Sequence, residues 1–466
     1  MTEDVTARLR ELVGERNVLT GDELADYSHD ETFMDSRPAV VVRPGSTDEV
    51  AAVAALCNET RTPLTTRGGG SGLAGGPVPL AGGVVLSTER LTDLRIVPED
   101  LVAFSGTGVM VADLDAAAAE QGLLYPPDPS SIAISTIGGN VACNAGGLRC
   151  LAYGVTADYV LGMTVVLADG TVLRLGGPLR KRASGYRLLS LFVGSEGTLG
   201  VITEVVLKLV PRPRHHATAM ITFDSIEGAA EAARRLLGRG YLPTALELMN
   251  RPAMELVADL LPPGMKADRE AALLVERDGS DADFCLQELA EMVEILDGAE
   301  DRVAQSPNER ARLWEARRAY GKRVRAQRKN VFGEDVAVPI SKMPELIHRI
   351  SELGRQHDLT IPAVAHIGDG NVHPAFVFDD SQRSLISPLA AQVFRDALEL
   401  GGTVSAEHGL GALKRDFAFQ EHGEAVVGWW HRLKDMFDPN GILNPHKLLP
   451  EAPGDDGFLD RQPGWR

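Results

Sequence analysis

The stretch RGGGSGLAGG, Arg67 to Gly76, places Gly70, Gly72 and Gly75 at the spacing of the Gly-x-Gly-x-x-Gly dinucleotide fingerprint. That fingerprint works only when a helix starts at once, so that its amino end faces the pyrophosphate. Here Pro77 and Pro79 stand where the first helical turns would be, and the chain runs on into the strand-like VVLST, Val84 to Thr88. Proline removes a backbone donor and breaks a helix interior, so the Rossmann reading fails. Consecutive glycines still leave a backbone able to fold its N–H groups around an anion. Taken alone, the stretch reads equally well as a flexible glycine turn with no ligand.

Outward from this loop, the first 210 residues are rich in glycine and short β-type runs: Ala39 to Arg43, Val84 to Ser87, Leu101 to Ser105, Val160 to Leu167, Val172 to Leu175 and Val201 to Leu209. One helix signal is clear. Ser46 and Glu49 form a capping box ahead of Val50, Val53, Ala54 and Cys57 at helical spacing. Asp169-Gly170 predicts a tight hairpin turn. The segment PRPRH, Pro211 to His215, reads as a linker. From Ala217 to about Asp379, strands near Met220, Leu246 and Leu273 alternate with helices near Glu231–Leu237, Ala253–Leu260 and Phe284–Leu296. This is the rhythm of an α+β sheet with helices on one face. Further helices are predicted within Arg383–Leu400 and near Ala425–Met436. The chain therefore divides into segments 1–210, 217–425 and 426–466.

Composition removes whole classes of function. The 466 residues, 44% hydrophobic and 24% charged, suit a globular protein of two or three domains. With 65 acidic against 47 basic residues, the formal charge of -18 would repel a nucleic-acid backbone. The opening MTEDVTARLR lacks the apolar core of a signal peptide, and no stretch reaches the length of an apolar membrane span, so a cytoplasmic location is expected. The four cysteines form no Cys-x-x-Cys pair, which argues against an iron–sulfur cluster.

Two later motifs carry chemistry. HIGDGNVH, His366 to His373, joins two imidazoles by a turn of Gly, Asp and Asn, and SAEHG supplies Glu407 and His408. Two imidazoles and a carboxylate can converge on one ion and leave positions open. Alternatively, His366 packs at a strand end and His373 bonds a backbone carbonyl. In LWEARRAYGKRVR, Arg317 carries a planar fork of donors that suits a carboxylate. Arg318, Lys322, Arg323 and Arg325 read as a solvated face.

PPDPSS (Pro126 to Ser131), STIGGNVACNAGG (Ser135 to Gly147), YGVTADYVLG (Tyr153 to Gly162), LFVGSEGTLGVITEVVLKL (Leu191 to Leu209) and GILNPHK, taken with the motifs above, match a known pattern in order as well as content. From about Arg37 to Pro450 the chain resembles the FAD-linked oxidoreductases of the vanillyl-alcohol oxidase type, in the glycolate oxidase subunit and D-lactate dehydrogenase branch. The resemblance implies an α+β protein: a two-part FAD-binding domain, a substrate domain with a ferredoxin-like antiparallel sheet, and a helical C-terminal part returning to the first. It implies that Arg67, Gly68, Gly69, Gly70, Ser71 and Gly72 hold the FAD pyrophosphate. Pro127, Asp128, Ser135, Gly138, Gly139, Asn144 and Gly146 would surround the isoalloxazine and ribityl chain. Gly200, Val201 and Ile202 would complete the wall, with Asn444 at the flavin edge. The FAD is expected to be dissociable, because Gly68 to Gly72 contains no histidine for covalent attachment. His366, His373 and Glu407 would bind zinc, with manganese as the alternative; His408 would be the base and Arg317 the clamp for the substrate carboxylate. The acidic EDVAVP, Glu334 to Pro339, would disfavour a second substrate carboxylate if it lines the pocket.

The expected activity is oxidation of a small D-2-hydroxy acid, such as glycolate or D-lactate, to the 2-oxo acid. It would combine metal-assisted deprotonation of the hydroxyl with hydride transfer to flavin N5. The electrons would leave to an external acceptor: a quinone, an electron-transfer flavoprotein or a partner subunit. A homodimer is compatible with the sequence. Two other readings stay open, a flavin oxidase of a sugar, lactone or alcohol, and a non-catalytic FAD-binding electron-relay subunit.

Overall fold

A computed structural model describes residues 3–262, 264–327 and 330–465. Valine-rich runs build a first sheet from β1 (Val40–Val42), β2 (Leu64–Arg67) and β3 (Val84–Ser87), in which β1 and β2 each lie parallel to β3. Parallel neighbours need crossovers. One is α1 (Thr47–Glu59) and the other is the glycine loop, which runs from β2 to β3 as bends and turns with no helix. Helix α1 starts where its signal lies, with the Ser46 hydroxyl accepting from the Glu49 N–H at 3.2 Å. The Glu49 carboxylate reaches one residue further back than a capping box requires, to the Gly45 N–H at 2.7 Å.

The second sheet is antiparallel: β4 (Leu94–Val97), β5 (Val102–Gly106), β6 (Val160–Val166), β7 (Val172–Gly176) and β8 (Val201–Lys208), in the order β4-β5-β8-β6-β7. Between β5 and β6 lies the short helix α2 (Ile137–Cys143), capped by Thr136. The β6–β7 hairpin turns on Gly170, at φ +87°. Pro211 to His215 is no slack linker. Pro211 pairs with Leu123, Arg212 bonds Leu123 O and Asp115, and the next strand begins at His215.

That strand opens the largest sheet: β9 (His215–Phe223), β10 (Ala245–Asn250), β11 (Ala271–Gly279), β12 (Glu300–Val303), β13 (Asn330–Gly333), β14 (Val336–Ala337), β15 (Ala363–His366) and β16 (Asn371–Phe378). Their order is β12-β9-β11-β10-β15-β16-β13, antiparallel throughout, with β14 on β16. The helices are α3 (Ile226–Gly238), α4 (Ala282–Leu296), α5 (Pro307–Arg325), α6 (Met343–Gln356) and α7 (Arg383–Glu399). They cover both faces, not the single face expected. Ala219, Ile221, Leu246, Leu273 and Val275 pack against α3, α4, α6 and α7, while Met220, Met249, Ala272 and Leu274 pack under Leu313, Trp314 and Tyr320 of α5. The cause is visible in β11, where Ala271 to Val275 is apolar without alternation and needs cover on each side. Trp314, Arg317, Tyr320 and Val324 fall at the 3–4 spacing that gives α5 one buried stripe despite its charge.

The C-terminal helix α8 (Ala418–Phe437) is kinked at non-helical Gly423, φ +75°, and its part after the kink is the helix expected near Ala425–Met436. The chain then returns to the first sheet: Leu64 N–H bonds Ile442 O and Asn444 N–H bonds Leu64 O, both at 2.8 Å. Among the described residues no helix is long and apolar enough to cross a membrane.

Candidate active site

The glycine loop is seated on the segment that leads into α2. A Cβ at Gly68 would collide with Thr136, and one at Gly69 with the Ile134 carbonyl. Around this seam several buried polar atoms have no hydrogen-bond partner: Thr66 Oγ1, Ser135 Oγ, Asn140 Nδ2 and Asn444 Oδ1. Buried polar atoms are nearly always paired, so four orphans beside glycine backbone fit a large polar cofactor such as FAD. Asn444 holds its place by donating from Nδ2 to Glu196 O at 2.7 Å and Gly76 O at 3.1 Å. Asn144 sits at φ +54° and accepts from the Ala157 N–H at 2.8 Å.

Other expected cofactor residues are turned elsewhere. The Arg67 guanidinium is buried and donates to His29 O and Asp26 O, bracing the N-terminal segment. Asp128 faces Arg149 at 3.4 Å and Arg318 at 3.1 Å. Val201 and Ile202 bury their side chains in two separate cores, and Gly200 packs on Val165 and Phe192. Gly138 lies against Thr107 and Gly139 against Thr136 Oγ1, and Pro127 is buried. Ser71 and Gly72 complete the loop, Gly72 O accepting from the Glu31 N–H.

The imidazoles meet because of sheet register. Glu247 on β10 lies opposite His366 on β15, and β15 pairs with β16, which carries His373. Glu407 arrives from the loop after α7. His366 Nε2 is 3.7 Å and His373 Nε2 3.3 Å from Glu407 Oε1, and one ligand atom from each of the three residues lies within 4.8 Å of the others. His408 stacks on His373 with ring centroids 5.3 Å apart, its Nε2 3.8 Å from Glu407 Oε1. Two nitrogens and an oxygen so placed, with no fourth ligand atom required, suit a divalent cation that keeps an open position. Burial pushes His373 down to about 3, which keeps that ring neutral and able to donate a lone pair. Burial would raise Glu407, but the bond from His366 and the positive charge of that ring hold it well below the usual carboxylate range.

This cluster touches the flavin seam. A Cβ at Gly146 would stand 2.5 Å from Glu407 Oε2 and 3.1 Å from the Glu407 Cβ, so only glycine lets the two segments meet. A cavity of about 460 Å³ opens beside them, lined by Asn144, Gly194, Glu196, Glu407, Leu410 and Trp430 among others. Burial raises Glu196 to about 7, and its carboxylate accepts from the Leu410 and Gly411 N–H groups at 2.8 Å each, tying the loop after His408 to the FAD-side segment.

Arg317 does not point a free fork into this space. Its Nε and Nη2 grip Glu247 Oε2 at 2.8 and 2.7 Å, and Glu247 Oε1 holds His366 Nδ1 at 2.6 Å. Its neighbours Arg318, Lys322, Arg323 and Arg325 form the solvated face expected, with surface ion pairs on it. Arg318 bridges to Asp128, Arg323 pairs with Asp259, and Arg325 pairs with Glu31. The acids of EDVAVP are also engaged: Glu334 pairs with Lys414 at 2.8 Å, and Asp335 binds the loop carrying Glu407 and His408. Neither is a bare wall against a substrate carboxylate. Glu247 and Asp335 were missed as site residues by sequence reading; the signal was a lone acid in the apolar strand ALELMN and another beside a valine run.

The glycine-lined seam with its orphaned polar atoms fits an FAD-binding oxidoreductase. Comparison agrees. Residues 38–176 match the family description "FAD binding domain" and residues 212–448 match "FAD linked oxidases, C-terminal domain". The glycolate oxidase subunit GlcD of Bacillus subtilis is 36% identical over 96% of this chain and 97% of its own length. The D-lactate dehydrogenase of Anaerostipes hadrus is 36% identical over 96% and 98%. At the level of fold alone, p-cresol methylhydroxylase superposes with a TM-score of 0.79 at 17% identity, covering 96% of each chain. The 4-ethylphenol oxidase of Gulosibacter chungangensis superposes at 0.78 and 20%, covering 96% of this chain and 97% of its own. The chain belongs to the FAD-linked oxidase family, with a vanillyl-alcohol oxidase type FAD-binding fold, and is an FAD-linked enzyme acting on CH–OH donors.

Proposed function

We propose that this enzyme oxidises a small D-2-hydroxy acid, of the glycolate or D-lactate kind, to the 2-oxo acid. The observation that carries the reading is the convergence of His366, His373 and Glu407 beside Gly146, with His408 stacked on the cluster. The similarity to a glycolate oxidase subunit and a D-lactate dehydrogenase supports the substrate class.

Bound FAD supplies a hydride acceptor at flavin N5, and a divalent cation supplies positive charge at the substrate hydroxyl. His366 and His373 through Nε2 and Glu407 through a carboxylate oxygen would hold the cation, zinc being favoured by the N,N,O set and manganese the alternative. His408, adjacent to them, takes the hydroxyl proton while hydride leaves the same carbon, so the substrate loses two electrons and two hydrogens in all. Arg317 acts through Glu247 in this scheme, as a positioning residue. Two electrons then pass to an external acceptor, a quinone, an electron-transfer flavoprotein or a partner subunit.

The test is anaerobic titration of the FAD-loaded protein with glycolate, D-lactate, L-lactate and D-2-hydroxyglutarate. Bleaching of the flavin absorbance by glycolate or a D-monoacid is expected. Bound flavin that none of the four reduces would overturn the proposal in favour of another alcohol donor or an electron-relay role.

A further inference from the structure

We propose that Glu247 and Asp335 form a matched pair of positioning residues: each fixes one histidine as the Nδ1–H tautomer, leaving Nε2 free for the cation. This rests on the metal reading of the site given above.

A neutral imidazole carries one proton, and the nitrogen that carries it cannot be a ligand. For His366 the choice is made by Glu247. Its Oε2 is taken by Arg317, which can only donate, and its Oε1 lies 2.6 Å from His366 Nδ1. The carboxylate offers no proton there, so Nδ1 must donate and Nε2 is left towards Glu407.

His373 meets the same logic from the other side. Asp335 is fully buried. Its Oδ2 is saturated by four donors: the Ser405 hydroxyl at 2.9 Å and the N–H groups of Ala406, Glu407 and His408 at 2.9, 3.0 and 3.1 Å. Its Oδ1 has no hydrogen-bond partner and lies 3.8 Å from His373 Nδ1. The His408 ring also lies within 4.8 Å of Asp335, but His373 Nδ1 is closer, and a rotation of its ring would close the gap with Nδ1 donating. Asp335 thus has two tasks. One oxygen builds the loop that presents Glu407 and His408, and the other orients His373 against that loop.

The two tasks can be separated by a change of one atom. In Asp335→Asn the amide oxygen must face the four donors, which turns the NH2 towards His373 Nδ1. In Glu247→Gln the oxygen must face Arg317, which turns the NH2 towards His366 Nδ1. Each variant keeps its structural bonds but forces the ring to accept at Nδ1 and carry its proton on Nε2. The expected result is retained FAD and cooperative unfolding, at a lower melting temperature in Glu247→Gln because the buried Arg317 loses its counter-charge, with Zn2+ affinity, measured by competition against a chelator, lower by about 10- to 100-fold in each. Variants that bind Zn2+ as tightly as the parent would overturn the assignment.

A second measurement needs no variant and no metal. Nitrogen-15 spectra of histidine-labelled, metal-free parent protein should show a proton on Nδ1 of both His366 and His373, and an Nδ1 without a proton on either ring would overturn the proposal for that residue. A parent that shows these tautomers yet binds neither Zn2+ nor Mn2+ would defeat the metal reading, and with it the proposed purpose of the pair.

Discussion

Glu276 and Glu247 stand on neighbouring strands, are equally buried, and are both gripped by α5, yet they are treated differently. Glu276 receives Arg310 through two bonds at 2.8 Å, the Trp314 indole at 2.6 Å and the Thr218 hydroxyl at 2.7 Å. Its network ends there, saturated. Glu247 instead starts a chain through His366, Glu407 and His373 to Asp335, and that chain ends on an unpaired carboxylate oxygen. A satisfied polar cluster rigidifies a core, whereas one left short of partners inside a protein is costly and calls for a ligand. Helix α5 thus carries a structural anchor and a functional brace three residues apart, at Trp314 and Arg317.

The comparison can be broken at several points. The largest effect is expected from His408→Ala, which should slow flavin reduction by about 100- to 10,000-fold with FAD and metal retained, as measured by stopped flow and metal analysis. Next, Glu276→Ala should lower stability by about 3 kcal/mol in denaturant titration while leaving the rate of flavin reduction near the parent value. Acid should reveal the same group. Burial alone would raise the Glu276 carboxyl, but bonds from His216, Arg310 and Thr218 hold it well below the usual carboxylate range. A depressed folded-state value means stabilisation fully present above the ordinary carboxylate range and lost as pH falls, so the stability gap between parent and Glu276→Gln should narrow on acidification.

Gly146→Ala sharpens the other half. Its methyl group must displace Glu407, and a shift of that ligand should cost about 10- to 100-fold in turnover with smaller loss of FAD. The smallest effect belongs to Arg318→Ala. Its pair with Asp128 is half exposed, and its loss should cost under about 1 kcal/mol in the same titration.

Much of this was legible in the chain, and what was not has a common cause. Pro77 and Pro79 were enough to reject a helix after the glycine loop, and Ser46 with Glu49 to start α1. The match to the family's Trp-x-x-Arg segment picks out Trp314 and Arg317, and α5 sets both on one buried face. What Arg317 would meet on that face was not legible, because its partner Glu247 is set by strand register across a long stretch of chain. The family resemblance places Arg67 at the pyrophosphate; its side chain turns back to carbonyls of the N-terminal segment, a contact no local pattern announces. Val201 and Ile202 occupy a strand whose alternation sends one into each core.

The most direct test of the central claim is the rate of anaerobic flavin reduction by glycolate or D-lactate before chelation, after it, and after restoring Zn2+ or Mn2+. The account predicts fast reduction that disappears with the metal while FAD stays bound, and that returns with it. Undiminished reduction in protein shown to be free of metal would contradict it.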